Sequence, residues 1–329
     1  MKSWQSDRRA GVGYAVGAYL LWGVLPVYWK LLQHVPPLQI LAHRIFWAFV
    51  FLMSLLLLTG NLTGFWRETR QIAGQPRKLA AVGVAAIILN INWGTYIWAV
   101  NNNHIVQTSL GYYINPLVSV LLGILILKER LSLWQLAAFV LAAVGVFSLT
   151  LQFGTFPWIA IVLALTFGLY GLFKKTVDIG SVTGLTLETL LTCSFALPYL
   201  LYVSNIGSSQ FGFHLSSTNL LLMGAGAVTA TPLVLFAAGA KRLPLFAIGF
   251  LQYISPTIAL LLGVLVYHEP FTQGHLLSFG IIWIGLLLFS LSRTKPFIRL
   301  EEKIIQPSTG IQAPASTKNR IKDKASIKS

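Results

Sequence analysis

Charge is what this sequence has least of. Asp, Glu, Lys and Arg make up 10% of its 329 residues, against about a quarter in soluble chains. That is too little to cover the surface of a water-soluble domain of this length. Acid is scarcer than base, with 9 Asp and Glu against 24 Lys and Arg and a net charge of +15. Cysteine is reduced to Cys193 alone, which excludes an intrachain disulfide and a cysteine-built metal site. No HExxH or paired metal-ligand spacing occurs. Near Gly168 the Lys175–Thr176 pair stands without the glycine that a phosphate-binding loop requires. No zinc chemistry, ATP-driven engine or cofactor is therefore expected. Asn61-Leu62-Thr63 fits the glycosylation pattern, but it falls in a loop expected on the cytoplasmic side, where that pattern has no use.

What the chain does have is apolar length. Hydrophobic residues reach 55%, gathered in continuous runs of about twenty rather than in alternating strands of about ten. Only helices or a closed barrel satisfy the backbone inside a bilayer. The pattern therefore predicts an all-α integral membrane protein of ten transmembrane helices. They fall near 11–32, 38–58, 79–100, 105–127, 132–151, 156–173, 184–204, 218–240, 244–267 and 274–292. The first run reaches Leu32 and is too long for a cleaved signal segment. Lys30 and Arg44 apart, every Lys and Arg falls in the N-terminus, in alternate loops or in the tail. Such a distribution places both termini in the cytoplasm. It also explains the net charge by topology, with the lipid bilayer as partner and no nucleic acid.

The second half repeats the first. At a shift of 140, Tyr113, Ile114 and Pro116 meet Tyr253, Ile254 and Pro256; Gly123, Glu129, Phe139 and Gly145 meet Gly263, Glu269, Phe279 and Gly285. Further upstream the shift is 145, and Gly23 and Lys30 meet Gly168 and Lys175. Five spans per copy is an odd number, so the second copy enters the membrane from the other side. The expected organisation is a cytoplasmic N-terminus (1–10), one five-helix repeat (11–151), a second, inverted repeat (152–292) and a basic tail (293–329). The tail is expected to be largely disordered, with Phe297 to Ile305 resting on the inner leaflet. Inverted repeats are a common architecture of secondary transporters.

Several stretches carry a resemblance. Gly11-Val-Gly-Tyr-Ala15, Trp22-Gly-Val-Leu-Pro-Val-Tyr-Trp-Lys30, Ile40-Leu-Ala-His-Arg44, Asn92-Trp-Gly-Thr-Tyr-Ile-Trp-Ala-Val-Asn101 and Ser109-Leu-Gly-Tyr-Tyr-Ile-Asn-Pro116 resemble the RarD-type transporters. These belong to the EamA family of the drug/metabolite transporter superfamily. The resemblance covers about residues 5–293 and implies a ten-helix inner-membrane permease, an exporter of small metabolites or drugs. It names no substrate. The competing reading from another class is a membrane-embedded enzyme or sensor without transport, which would need an acid–base pair or metal set at one depth.

Ionisable groups within spans are costly and point to function. Arg44 lies roughly 10 Å below the external face at 1.5 Å per residue, with His43 beside it and Lys30 nearer the surface. A guanidinium there favours a carboxylate or similar anion. Glu188, inside the seventh span, is a candidate for proton coupling or a structural acceptor. Trp22, Pro26 and Lys30 share one face of the first span. Asn92, Trp93 and Tyr96 in the third span either line the pathway or bind helices together. Tyr112, Tyr113 and Asn115 beside Pro116 correspond to Gln252, Tyr253 and Ser255 beside Pro256. These two prolines mark a pair of broken helices and the expected substrate site. Gly13 and Gly17 form a GxxxG expected at close helix packing. A monomer is expected.

Overall fold

The computed structural model describes residues 2–102, 104–152, 156–212, 216–266 and 273–305. The tail beyond residue 305 and the His268-Glu269-Pro270 loop lie outside the described residues. The elements are α1 (Lys2–Lys30), α2 (Pro37–Leu58), α3 (Leu62–Ala73), α4 (Pro76–Asn101), α5 (Ile105–Leu125), α6 (Leu133–Gln152) and α7 (Trp158–Thr176). They continue as α8 (Ser181–Asn205), α9 (Ser217–Arg242), α10 (Leu245–Gln252), α11 (Ile254–Leu265), α12 (Gln273–Leu291) and α13 (Lys295–Ile305). Among the described residues, nine helical stretches are long and apolar enough to cross a membrane, with a shorter apolar stretch at Leu110–Leu125. Together they supply the ten spans, the ninth being α10 and α11 in succession.

Three local expectations change. The N-terminus is not a separate segment: α1 begins at Lys2 and runs unbroken into the first span. The sixth span does not end at 173, because α7 carries Lys174 and Lys175 within its last turn. Residues 295–305 are helical rather than disordered. The tail helix α13 is held by Glu301, whose Oε1 accepts from Leu133 N at 2.8 Å, one of the free donors at the start of α6. Trp134 Nε1 also donates to the Phe297 carbonyl at 3.0 Å.

The packing of the helices shows the two-fold relation of the halves. α1 packs on α9 as α7 packs on α4; α2 packs on α9 as α8 packs on α4. α5 lies on α7 as α10 and α11 lie on α1, while α2–α8, α5–α10 and α6–α12 pair across the axis. The close glycine approaches follow the same rule. A Cβ on Gly23 would sit 2.8 Å from Ile258, and one on its repeat mate Gly168 would sit 2.8 Å from Val118. At the α6–α12 crossing a Cβ on Gly145 would meet the Ser278 carbonyl at 2.8 Å; one on Gly285 would meet the Ala138 carbonyl at 2.9 Å. At the α6–α12 crossing each contact becomes the other on shifting by 140; in the first pair the glycines shift by 145 and their neighbours by 140. Gly13, by contrast, has nothing within 4 Å and Gly17 only Leu235 at 3.6 Å, so the GxxxG is not where the helices come closest.

These seams predict a graded stability series. Gly145→Leu and Gly168→Leu force side chains into backbone or β-branched neighbours and should cost about 1–3 kcal/mol or more. Gly13→Ala should be neutral. Melting temperatures of the purified protein decide it; equal values for Gly13→Ala and Gly145→Leu would remove the seam from the account.

The two proline sites differ. α5 runs continuously through Pro116, whereas the ninth span breaks at Tyr253, between α10 and α11. α5 is splinted along α7, with Gly111 against Ala160 and Leu163 and Val118 against Gly168. α10 and α11 have different partners, α5 for the first and α1 for the second. The expected pair of broken helices is thus one broken helix and one proline-bearing continuous one. At the basic end, Glu129 Oε1 and Oε2 accept from Leu245 N (2.7 Å) and Phe246 N (3.0 Å), capping α10 from the first repeat. Lys175 sits 3.7 Å from the same carboxylate.

Candidate substrate site

Arg44 is seated by α2 seven residues after its start at Pro37. Its guanidinium carbon lies 5.0 Å from the ring of Trp29 and 4.9 Å from that of Trp93. Its Nε donates to Thr229 Oγ1 at 3.3 Å. Tyr96 and Tyr112 stand close enough to interact with its charge, their rings 6.4 Å apart, and Tyr112 is half exposed. α1, α2, α4, α5 and α9 thus build an aromatic box around one cation. Among the described residues no carboxylate lies within ion-pairing distance of it. Cation–π contacts hold a guanidinium without neutralising it, so the box presents a positive charge with donors to spare.

The other sequence-derived site residues disperse. Trp22 belongs to an aromatic core, meeting Tyr19 at 5.7 Å, Phe167 at 5.6 Å and Phe236 at 5.8 Å; Trp22 and Phe167 are repeat mates. Asn92 Nδ2 donates to the Leu163 carbonyl (2.9 Å) and to Thr166 Oγ1 (2.8 Å), joining α4 to α7. Tyr113 OH donates to the Pro256 carbonyl at 3.0 Å, and Tyr253 OH donates to the Tyr113 carbonyl at 3.3 Å. Both tyrosines are buried and bind the two proline regions to each other. Asn115 and Gln252 are buried with Oδ1 and Oε1 unpartnered. His43, one residue from Arg44 but about 100° around the helix, packs its ring on Phe211 at 5.0 Å, with both ring nitrogens unpartnered. Lys30 is exposed at the end of α1.

Glu188 is not a lone carboxylate. Its Oε1 lies 2.5 Å from Lys174 Nζ, and its Oε2 accepts from Tyr170 OH at 3.0 Å. Both charged residues are buried. Tyr170 in turn stacks on Phe236, 6.2 Å between centroids. The aromatic core of Tyr19, Trp22, Phe167, Tyr170 and Phe236 therefore meets the Glu188 pair on one side. Lys174, which falls in a loop on the sequence-based span limits, is thus a second cation held within the helices, buried against Glu188.

The EamA-like transporter family profile matches residues 9–151 and again 156–291. The chain belongs to the EamA-like transporter family. It is 48% identical over 290 residues to "Uncharacterized transporter YojE" of Bacillus subtilis (strain 168), covering 88% of this chain and 96% of that protein. It is 41% identical over 281 residues to "Protein RarD" of Salmonella typhi, covering 85% and 94%. With "Chloramphenicol-sensitive protein RarD" of Pseudomonas aeruginosa the identity is 28% over 278 residues, covering 84% and 92%. A solved crystal structure, 19% identical, superposes with a TM-score of 0.66 over 88% of this chain and 99% of that one, and supports the fold.

As a RarD-type EamA member, the chain is a multi-pass membrane transporter of the drug/metabolite superfamily and not an enzyme. The sequence of this EamA chain points to Arg44, Trp93, Tyr96 and Glu188, but not to Trp29 and Thr229 as partners of Arg44 or to Lys174 and Tyr170 as partners of Glu188. One signal was present. Arg44 and Glu188 each lie seven residues into repeat-equivalent helices, α2 from Pro37 and α8 from Ser181. Trp29 and Lys174 each precede the matched lysines Lys30 and Lys175.

Proposed function

We propose that this protein is a secondary transporter, an exporter of small metabolites or drugs, working by alternating access with Arg44 binding an anionic group of the substrate. The observation that carries this reading is a guanidinium held by rings with no carboxylate to neutralise it, inside a bundle of two inverted halves. Two similar halves can exchange outward- and inward-open arrangements around one site. One chain supplies both halves, so the working unit is a monomer. Trp93, Tyr96 and Tyr112 line the site; Asn115 and Gln252, with free acceptors beside the break in the ninth span, offer it further hydrogen bonds. Glu188 is the candidate for proton coupling, which requires release of Lys174 and Tyr170.

Metabolite profiling of cells and medium tests the activity. With the gene overexpressed, at least one carboxylate-bearing metabolite should rise in the medium and fall in the cell, and the reverse should follow deletion. Identical profiles in all three strains would refute export.

In this proposal the protein lies in the inner (plasma) membrane, and the bias of basic loops puts both termini in the cytoplasm. Reporter fusions after Val35 and Gln210 should report the outside, and those after Ile72, Glu129 and Arg242 the cytoplasm. Two adjacent fusions on the wrong side would overturn it.

A further inference from the structure

The two halves place different chemistry at one repeat-equivalent position. In the second half, Glu188 on α8 faces Lys174 on α7, an ion pair at 2.5 Å. In the first half, Arg44 on α2 faces Trp29 on α1, a cation over a ring at 5.0 Å. Glu188 and Arg44 stand equally far into matched helices. Lys174 and Trp29 each stand one residue before the matched lysines Lys175 and Lys30. The second half therefore fills the counter-ion position with a side chain of its own, and the first half fills the same position with an indole.

We infer that the counter-ion of Arg44 is the substrate itself, a monocarboxylate with an apolar, planar remainder, and that Trp29 is the specificity-determining residue that keeps the counter-ion's place open. This rests on the reading of Arg44 as the substrate's anion site. A carboxylate matches the guanidinium fork with two parallel bonds. Trp29 and Trp93 face one cation between them, so the box compensates one negative charge. A phosphate or dicarboxylate dianion would bring a second charge against aromatic walls, and an uncompensated charge out of water is expensive. Indole and phenol faces instead favour a flat apolar body.

The test uses the full-length protein in lipid nanodiscs, with its melting temperature followed against benzoate, acetate, succinate and inorganic phosphate. Ligands that bind the folded state raise that temperature. Benzoate should do so at concentrations roughly tenfold or more below those needed for succinate or phosphate, with acetate weaker than benzoate. Trp29→Glu restores in the first half the ion pair that the second half has. It should melt no lower than wild type and need roughly tenfold or more benzoate for the same shift. Trp29→Lys adds a second positive charge and should move the order toward succinate and phosphate. The inference is overturned if succinate or phosphate binds the wild type as well as benzoate does, if no anion shifts the wild type in large excess, or if folded Trp29→Glu responds like wild type. Should neither Trp29 variant fold, the wild-type order of the four anions decides. Arg44→Gln separates the layers. A benzoate shift retained in Arg44→Gln removes the anion site altogether. One lost in Arg44→Gln but unaltered in both Trp29 variants removes only the role of Trp29.

Discussion

Arg44→Gln is expected to reach the membrane at normal abundance and to bind its substrate ten- to a hundredfold more weakly. The structure supports both halves of that expectation. No acid leans on Arg44 among the described residues, so its removal leaves no buried carboxylate without a partner. Trp29, Trp93 and Thr229 lose only cation–π contacts and one 3.3 Å hydrogen bond. Removing the charge also lowers the cost of inserting the second span. Affinity is another matter, because a charge-assisted hydrogen bond contributes about 1.5–3 kcal/mol, and each 1.4 kcal/mol is about tenfold. Arg44→Lys keeps the charge, loses the fork and should recover part of the loss. Substrate uptake into vesicles, normalised to protein amount, is the measurement. Unchanged apparent affinity would assign Arg44 to packing.

Glu188 should behave in the opposite way. Glu188→Gln leaves Lys174 buried beside a neutral group, and Lys174→Met leaves a buried carboxylate. Each is expected to cost about 3–5 kcal/mol and to deplete the protein from the membrane. Lys174→Met with Glu188→Leu and Tyr170→Phe removes the whole polar set at similar volume and should restore abundance, since such replacements are often neutral or stabilising by about 1–4 kcal/mol. This triple variant then tests coupling. If it still transports, with the same response to an imposed pH gradient, Glu188 does not carry the proton. A folded triple variant that has lost only the response to pH assigns the coupling to this pair. Full abundance of Glu188→Gln would contradict the buried ion pair.

The spans could be read from the chain because about twenty apolar residues in a row have few alternatives in a bilayer. The repeat could be read because Pro116, Gly123, Glu129 and Gly145 return at fixed spacing; the structure gives Glu129 the cap of α10 and Gly145 and Gly285 the close approach of α6 and α12. α3 escaped notice: with Phe65 and Ile72 buried, and Arg67, Arg70 and Trp66 exposed, its average hydropathy is low and its turn-by-turn pattern is short. Lys174 escaped because a hydropathy window stops at two consecutive lysines, while a long stem lets one of them turn inward to an acid. The break at Tyr253 and its absence at Pro116 were unreadable, since the local sequences agree and the difference lies in which helices splint them. Asn92 reads alike in sequence whether it faces a pathway or a neighbouring helix; the carbonyl of Leu163 and the hydroxyl of Thr166 give it the second duty.

The helix pairings also bear on how the protein is made. α1, α2, α5 and α6 find their main neighbours in α9, α7, α10, α11 and α12, all of which leave the ribosome later. A first half newly released into the bilayer therefore has its seams facing lipid and its α10-capping carboxylate, Glu129, facing nothing. It matures when the second half arrives to interleave with it. Each five-helix copy therefore buries its seams against the other copy rather than within itself.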